Sequence, residues 1–130
     1  MSSNSSSIRT PLAKVRYLGS AHSGTREIWM MRLTSAALVP LTIGFVWLIL
    51  GVVGKDYKAA RDMMSNVVPA IVLLLFIVTS IYHMKLGMKV IIEDYVHGEH
   101  AKVWTLLANE FFCYAIGLAC IYATARIGFV

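Results

Sequence analysis

The chain has 130 residues, of which 58% are hydrophobic and 15% are charged, and its formal net charge is +5. A soluble domain carries about 25% charged residues, so this composition excludes an ordinary soluble globule and indicates a membrane protein. The basic residues gather at the ends of apolar segments and not in a patch with exposed aromatic residues, which argues against nucleic-acid binding. Cys113 and Cys120 are too few for this chain alone to hold an iron–sulfur cluster.

Residues 1–27 begin the chain as a polar, serine-rich segment, and we expect a retained, partly disordered tail. Residues 28–130 are expected to form a transmembrane domain with spans at about 33–53, 67–92 and 103–125. Each span contains an apolar run of roughly 20 residues, the length that crosses a bilayer. Because backbone groups in lipid must be paired within the chain, these runs form helices. The predicted fold class is all-α, an integral membrane protein with three transmembrane helices.

The connection between the first two spans predicts a short surface helix. Residues 57–64 alternate charged with small or apolar side chains, as a helix lying in the membrane interface does, and Asp56 is a plausible N-cap. Eight Lys and Arg residues flank the spans on the side of the N-terminus, against four on the other side. The positive-inside rule therefore predicts that the N-terminus is cytoplasmic.

The second span carries the most informative residues. At about 100° per residue, His83, Gly87 and Asp94 lie on one helix face. An imidazole in a span needs a partner, and a metal ion would satisfy its lone pair, while Gly87 lacks the Cβ that would hold a flat macrocycle away. The pattern fits a haem axial ligand, a histidine hydrogen-bonded to a neighbouring helix, or a proton relay. Asp94 and Tyr95 are either a solvated helix end or groups that hydrogen-bond a quinone.

Three other ionisable residues have two interpretations each. His97 and His100 follow the second span. They are either exposed or in contact with a peripheral partner, or else they are ligands of a metal or a second haem. Glu110 is the one carboxylate of the third apolar run, and it either faces another helix as a paired or protonated group or belongs to a proton path.

Two motifs carry a resemblance to a known family, one in the second span and one at the start of the first. They read His83-x-x-x-Gly87-Met88 with Asp94-Tyr95-Val96, and Arg32-Leu33-Thr34-Ser35. The chain resembles the D-type hydrophobic membrane anchor subunit of succinate dehydrogenase, respiratory complex II. The resemblance covers residues 19–128 in the number, order and spacing of the spans.

The resemblance implies a set of cofactors and partners. His83 would be an axial ligand of haem b iron, and the second ligand would come from a cytochrome b556-type anchor subunit. Arg32 would lie near the haem propionates, and Tyr95 would hydrogen-bond the ubiquinone head group with Asp94 beside it. The other implied partners are an iron–sulfur subunit and a flavoprotein. Where the family often has a histidine, this chain has Arg26, which keeps a cation but exchanges no proton.

The expected function is that of a membrane anchor, not catalytic by itself, in a succinate:ubiquinone oxidoreductase of the tricarboxylic acid cycle and electron transport. The alternatives are a haem-free, quinone-binding anchor of a fumarate reductase-type complex and an accessory subunit of another membrane complex. Because the N-terminus has no Arg-rich amphipathic presequence, we expect the bacterial inner membrane, with the mitochondrial inner membrane as the alternative.

Overall fold

Four α-helices form the part of the chain that the computed structural model describes, residues 22–129, with the side chains of 24–127. In chain order they are α1 (His22–Val52), α2 (Tyr57–Met64), α3 (Val67–Tyr95) and α4 (Glu99–Phe129). The helices α1, α3 and α4 are each long and apolar enough to cross a membrane. The prediction of an all-helical, three-span protein is therefore confirmed.

The long helices extend beyond the predicted spans. The first helix begins at His22, whereas its span was predicted from about residue 33. The second helix ends at Tyr95, beyond the predicted 92, and the third begins at Glu99, before the predicted 103. A helix of 31 residues measures about 46 Å, against about 30 Å for the hydrocarbon core of a bilayer. Residues 22–27 of the predicted polar tail are thus helical, and residues 1–21 lie outside the described part of the chain.

Local sequence accounts for the ends of the helices. The predicted surface helix is present as α2, but Asp56 at its N-cap position makes no side-chain capping hydrogen bond. Gly54 has a φ of +81°, a left-handed conformation that glycine adopts without strain, and it turns the chain after α1. Pro40 lies inside α1 without ending it. Pro69 is the third residue of α3, where its nitrogen needs no intrahelical partner.

The helix α3 lies between α1 and α4 and forms the two largest interfaces of the bundle. Against α1, the rings of Phe45 and Phe76 stack with centroids 4.4 Å apart. One residue before Phe45, Gly44 brings the two backbones close, because a Cβ there would lie 3.2 Å from Val72 Cγ1. Small residues at a contact are the usual means by which membrane helices approach each other.

The interface of α3 with α4 combines packing with polar contacts. Cys113 is 1% exposed, the most buried of the described hydrophobic side chains. A Cβ on Gly117 would lie 3.4 Å from Ile81 Cδ1, which is ordinary contact distance. The amide of Asn109 donates to the carbonyl of Lys85 at 3.1 Å. The two interfaces place α1 and α4 on different sides of α3, and all three helices run antiparallel to their neighbours.

The bundle has two distinct ends. At one end of the bundle, α1 and α4 begin and α3 ends. We call it the polar end, because it carries Glu27, Lys85, Lys89, Glu93 and Glu110. The opposite end contains α2, which packs against the start of α3 and the end of α4.

Candidate functional site

His83 faces α1, and its nearest polar partner is Thr34. The Thr34 Oγ1 and His83 Nδ1 atoms are 2.9 Å apart. The same hydroxyl donates to the backbone carbonyl of Met30 at 2.8 Å, with the carbonyl of Met31 at 3.0 Å. A threonine hydroxyl has one proton and two lone pairs. With that proton on the backbone carbonyl, Oγ1 accepts a hydrogen bond from Nδ1–H.

The donor and acceptor roles in this contact depend on the tautomer of the imidazole. In a neutral histidine with the proton on Nδ1, Nε2 carries the free lone pair. Metal-bound histidines commonly donate their second ring N–H to a neighbouring oxygen in this way, which fixes the orientation of the ring. His83 is half-buried, so its ring is held by the bundle while Nε2 stays available to a ligand.

The surface one turn beyond His83 is open. A Cβ built on Gly87 would have no neighbouring heavy atom within 4 Å among those described. Gly87 therefore does not serve the packing of α3 against α1 or α4, unlike Gly44 and Gly117. A flat group bound at His83 Nε2 can approach the helix backbone at Gly87, so these two residues fit a haem.

Arg32 does not lie beside His83 within this chain. It precedes Thr34 by two residues and so lies about 200° around α1, on the side away from α3. Its side chain is exposed. The resemblance associates Arg32 with the haem propionates, and any such contact has to be made on the outer side of α1.

Asp94 and Tyr95 lie in the last turn of α3, and their side chains are exposed. Tyr95 is the last helical residue and is 77% exposed, and Asp94 is also exposed. Neither side chain has a hydrogen-bond partner within residues 24–127. Asp94 lies within about 20° of the direction of His83 and about 16 Å farther along the axis. The structure thus brings the two residues to the same side and end of α3 but does not enclose them.

Two lysines of α3 link it to both neighbouring helices. Lys85 pairs with Glu110 of α4, and Lys89 pairs with Glu27 of α1. Lys89 also lies 3.7 Å from Glu93, one turn along α3. Glu110 therefore faces another helix as a paired group, one of the interpretations that its sequence position allows.

The Lys85 ammonium has further partners on α4. It lies 3.3 Å from the Tyr114 hydroxyl and 4.7 Å from the centroid of the same ring. A cavity of about 690 Å³ opens next to these ion pairs, between the three long helices. Its charged lining residues are Arg26, Glu27, Lys85, Lys89 and Glu110.

Sequence reasoning missed the roles of Thr34, Lys85 and Lys89. A lone carboxylate in an apolar run requires a cation nearby, and this signal could have identified Lys85 as the partner of Glu110. Thr34 could not be paired with His83 without knowing how α1 packs on α3.

The two histidines after α3 are both exposed. His97 lies in the short connection and His100 in the first turn of α4. Within the described residues, His, Cys, Asp and Glu side chains form no group of three or more that could hold a metal ion. Among the histidines whose side chains the structure describes, His83 is the one with a hydrogen-bond partner on a neighbouring helix.

Three apolar spans with a polar cluster at one end and a surface helix at the other define a helical membrane anchor. Residues 6–117 match the family model of the succinate dehydrogenase/fumarate reductase transmembrane subunit. The chain is 30% identical over 119 residues to the succinate dehydrogenase hydrophobic membrane anchor subunit of Paracoccus denitrificans, covering 92% of each chain. It belongs to this family, as a hydrophobic membrane anchor subunit of the succinate dehydrogenase type.

Other relatives agree with this assignment. The hydrophobic membrane anchor subunit of Rickettsia bellii is 29% identical, over 80% of this chain and 83% of its own length. The succinate dehydrogenase membrane anchor subunit of Reclinomonas americana is 30% identical, over 62% of this chain and 70% of its own. No solved structure matches the chain significantly.

Proposed function

We propose that this chain anchors a succinate dehydrogenase complex in the membrane, supplies one axial ligand of haem b, and forms part of the ubiquinone-reduction site. The observation that carries the haem assignment is the hydrogen bond between Thr34 Oγ1 and His83 Nδ1. It leaves Nε2 as the ligand atom, next to the open surface at Gly87. Haem b, when bound, accepts and returns single electrons.

The residues of this chain have separate roles in that function. His83 would hold the haem iron through Nε2, and Thr34 orients the ring. Tyr95 hydrogen-bonds a quinone oxygen through its phenol and supports its protonation, with Asp94 as the adjacent polar group. Arg32 pairs with a propionate on the outer side of α1, since a guanidinium suits a carboxylate.

The remaining parts of the complex come from other chains. A second, cytochrome b556-type anchor subunit would hold the haem together with His83, at the open surface of α3 by Gly87. A flavoprotein oxidises succinate, and an iron–sulfur subunit passes the electrons to the quinone near Tyr95. This chain performs no succinate chemistry by itself. The polar end with Tyr95 faces the cytoplasm of a bacterium, as the distribution of Lys and Arg supports.

The haem assignment is tested by a dithionite-reduced minus oxidised spectrum of the purified complex. The substitution His83→Ala is expected to abolish or shift the b-type signal, because the iron loses an axial ligand. His100→Ala is the matched control, since His100 is exposed on α4 and should leave the spectrum unchanged. A native complex without a b-type signal would support the haem-free, fumarate reductase-type anchor instead.

The quinone assignment is tested separately by Tyr95→Phe. Loss of the phenol is expected to lower succinate-to-ubiquinone activity by at least about tenfold, because general-acid and hydrogen-bonding groups contribute on that scale or more. Succinate oxidation with a water-soluble electron acceptor should be unchanged, since the flavoprotein is untouched. Tyr82→Phe, on the same helix, is the control. Equal quinone reduction by Tyr95→Phe and the native complex would reject this assignment.

A further inference from the structure

A second cavity lies at the opposite end of the bundle, where α2 packs beside the last turns of α4. It has a volume of about 530 Å³, and its polar lining side chains are Tyr57, Arg61, Tyr122 and Arg126. Its described lining includes no carboxylate, and neither arginine forms an ion pair within residues 24–127. Two guanidinium groups thus share a cavity without a countercharge, and the proposed function uses neither.

An apolar crevice continues from this cavity. It has a volume of about 170 Å³, and it shares Tyr57, Arg61 and Ile127 with the larger cavity. Its other lining residues are Val52, Ala60 and Met64. A cationic opening that joins an apolar crevice has the polarity of a molecule with a charged head and a hydrocarbon chain.

The position along the membrane normal agrees with that polarity. Val52 is the last residue of α1, and Arg126 is in the last turn of α4, so the cavity lies where two spans leave the bilayer. Lipid phosphates and the tyrosines of membrane proteins both occupy this layer. Arginine pairs with phosphate oxygens through two parallel N–H bonds, and a tyrosine hydroxyl adds a further donor.

We propose that Arg61 and Arg126 bind the phosphate of an anionic phospholipid, with Tyr57 and Tyr122 beside the head group and the start of an acyl chain along the crevice. A soluble phosphate would use the two arginines but would leave the apolar crevice without an occupant. Basic pockets between membrane helices are a recognised form of head-group site. The lipid would fasten α2 to α4 at the end of the bundle opposite the polar end.

The test measures lipid binding by the purified complex in detergent. Native mass spectrometry counts the retained phosphatidylglycerol and phosphatidylcholine with identical acyl chains, for the native complex and for Arg61→Gln/Arg126→Gln. The native complex should retain phosphatidylglycerol in preference to phosphatidylcholine. The double variant should bind phosphatidylglycerol about tenfold more weakly, since each basic residue near the surface contributes to anionic lipid binding. Phosphatidylcholine retention should be equal in both.

The matched control is Lys55→Gln/Lys58→Gln, which removes the same charge at the same end from residues outside the cavity lining. It should keep the preference for phosphatidylglycerol. An equal loss in this control would mean that bulk charge attracts the lipid, and an unchanged preference in the arginine variant would mean that the cavity is not the site. Displacement of the lipid by millimolar inorganic phosphate would identify a soluble anion as the ligand. Each of these results would overturn the proposal.

A second measurement covers the case in which the arginine variant does not assemble. A photoreactive phosphatidylglycerol added to the native complex should label peptides containing residues 57–64 or 122–127. Labelling confined to other segments would reject the site, whatever the state of the variants.

Discussion

At the scale of single residues, the function proposed for His83 depends on the hydroxyl of Thr34. With the hydroxyl proton on a backbone carbonyl of the preceding turn, the oxygen accepts a hydrogen bond from the imidazole. A histidine with the opposite tautomer would present an N–H, not a lone pair, at Nε2. In the proposed function Thr34 is therefore a positioning residue, which would act on the iron through His83.

The substitution Thr34→Val keeps the shape of the side chain and removes the hydroxyl. We expect the complex to retain haem about tenfold less firmly, because loss of such a hydrogen-bond partner typically weakens metal binding by that factor or more. The haem midpoint potential should also shift, and Thr34→Ser should restore both properties. The measurements are haem content after dialysis against apomyoglobin and a potentiometric titration.

Thr105→Val provides the control for this experiment. The Thr105 hydroxyl donates to the Ala101 carbonyl at 2.8 Å, with the carbonyl of Lys102 at 3.1 Å. Its backbone contacts therefore match those of Thr34. It has no histidine partner among the described residues. If the two valine variants behave alike, Thr34 does not act through His83.

At the scale of helices, ion pairs at the polar end determine how α3 is held. Lys85 reaches α4 and Lys89 reaches α1, so one helix is linked to both neighbours at nearly the same level. Each ammonium lies near apolar surface, where an unpaired charge is costly. These pairs fix the rotation of α3, and with it the direction in which His83 and Asp94 point.

The substitution Glu110→Gln should lower the thermal midpoint of the complex. The expected cost is on the order of 1 kcal/mol, because Lys85 loses its countercharge while both side chains remain partly exposed in this chain. The double variant Lys85→Met/Glu110→Leu should recover much of the loss, since it leaves no unpaired charge. Differential scanning fluorimetry of the purified complex measures all three midpoints.

Glu93→Gln is the control for the helix-linking role. The contact of Glu93 with Lys89 lies within α3 and joins no second helix, so its loss should change the midpoint less. An equal decrease in both variants would show that the link between α3 and α4 has no special effect.

The sequence predicted the helices well and their contacts poorly, for physical reasons. An apolar run of span length in lipid has one regular structure available, so the three spans followed from composition. The first helix begins before the predicted span, and Lys89, 62 residues away, pairs with Glu27 in this extension. Helical periodicity put His83, Gly87 and Asp94 on one side of α3. It contained no information on the packing of α1, and so neither the Thr34 contact nor the outward position of Arg32 was predicted.

At the scale of the whole molecule, the chain buries little of its own apolar surface. The buried hydrophobic side chains among the described residues are Leu48, Leu86, Ile92 and Cys113. Trp47 is 76% exposed. A three-helix arrangement of this kind cannot enclose a macrocycle by itself, so its outer faces are for lipid and for neighbouring subunits. The proposed function therefore requires that His83 and a residue of another chain share one haem iron.

The most direct test of that claim is to change the ligand atom, not only to delete it. His83→Met should replace the imidazole ligand by a thioether. The haem midpoint potential should then rise, because methionine ligation favours the reduced iron. The ferric electron paramagnetic resonance spectrum should change together with the potential. If His83 ligates the iron, both changes or complete loss of the b-type signal should follow. A variant with the native potential and the native ferric spectrum would contradict it.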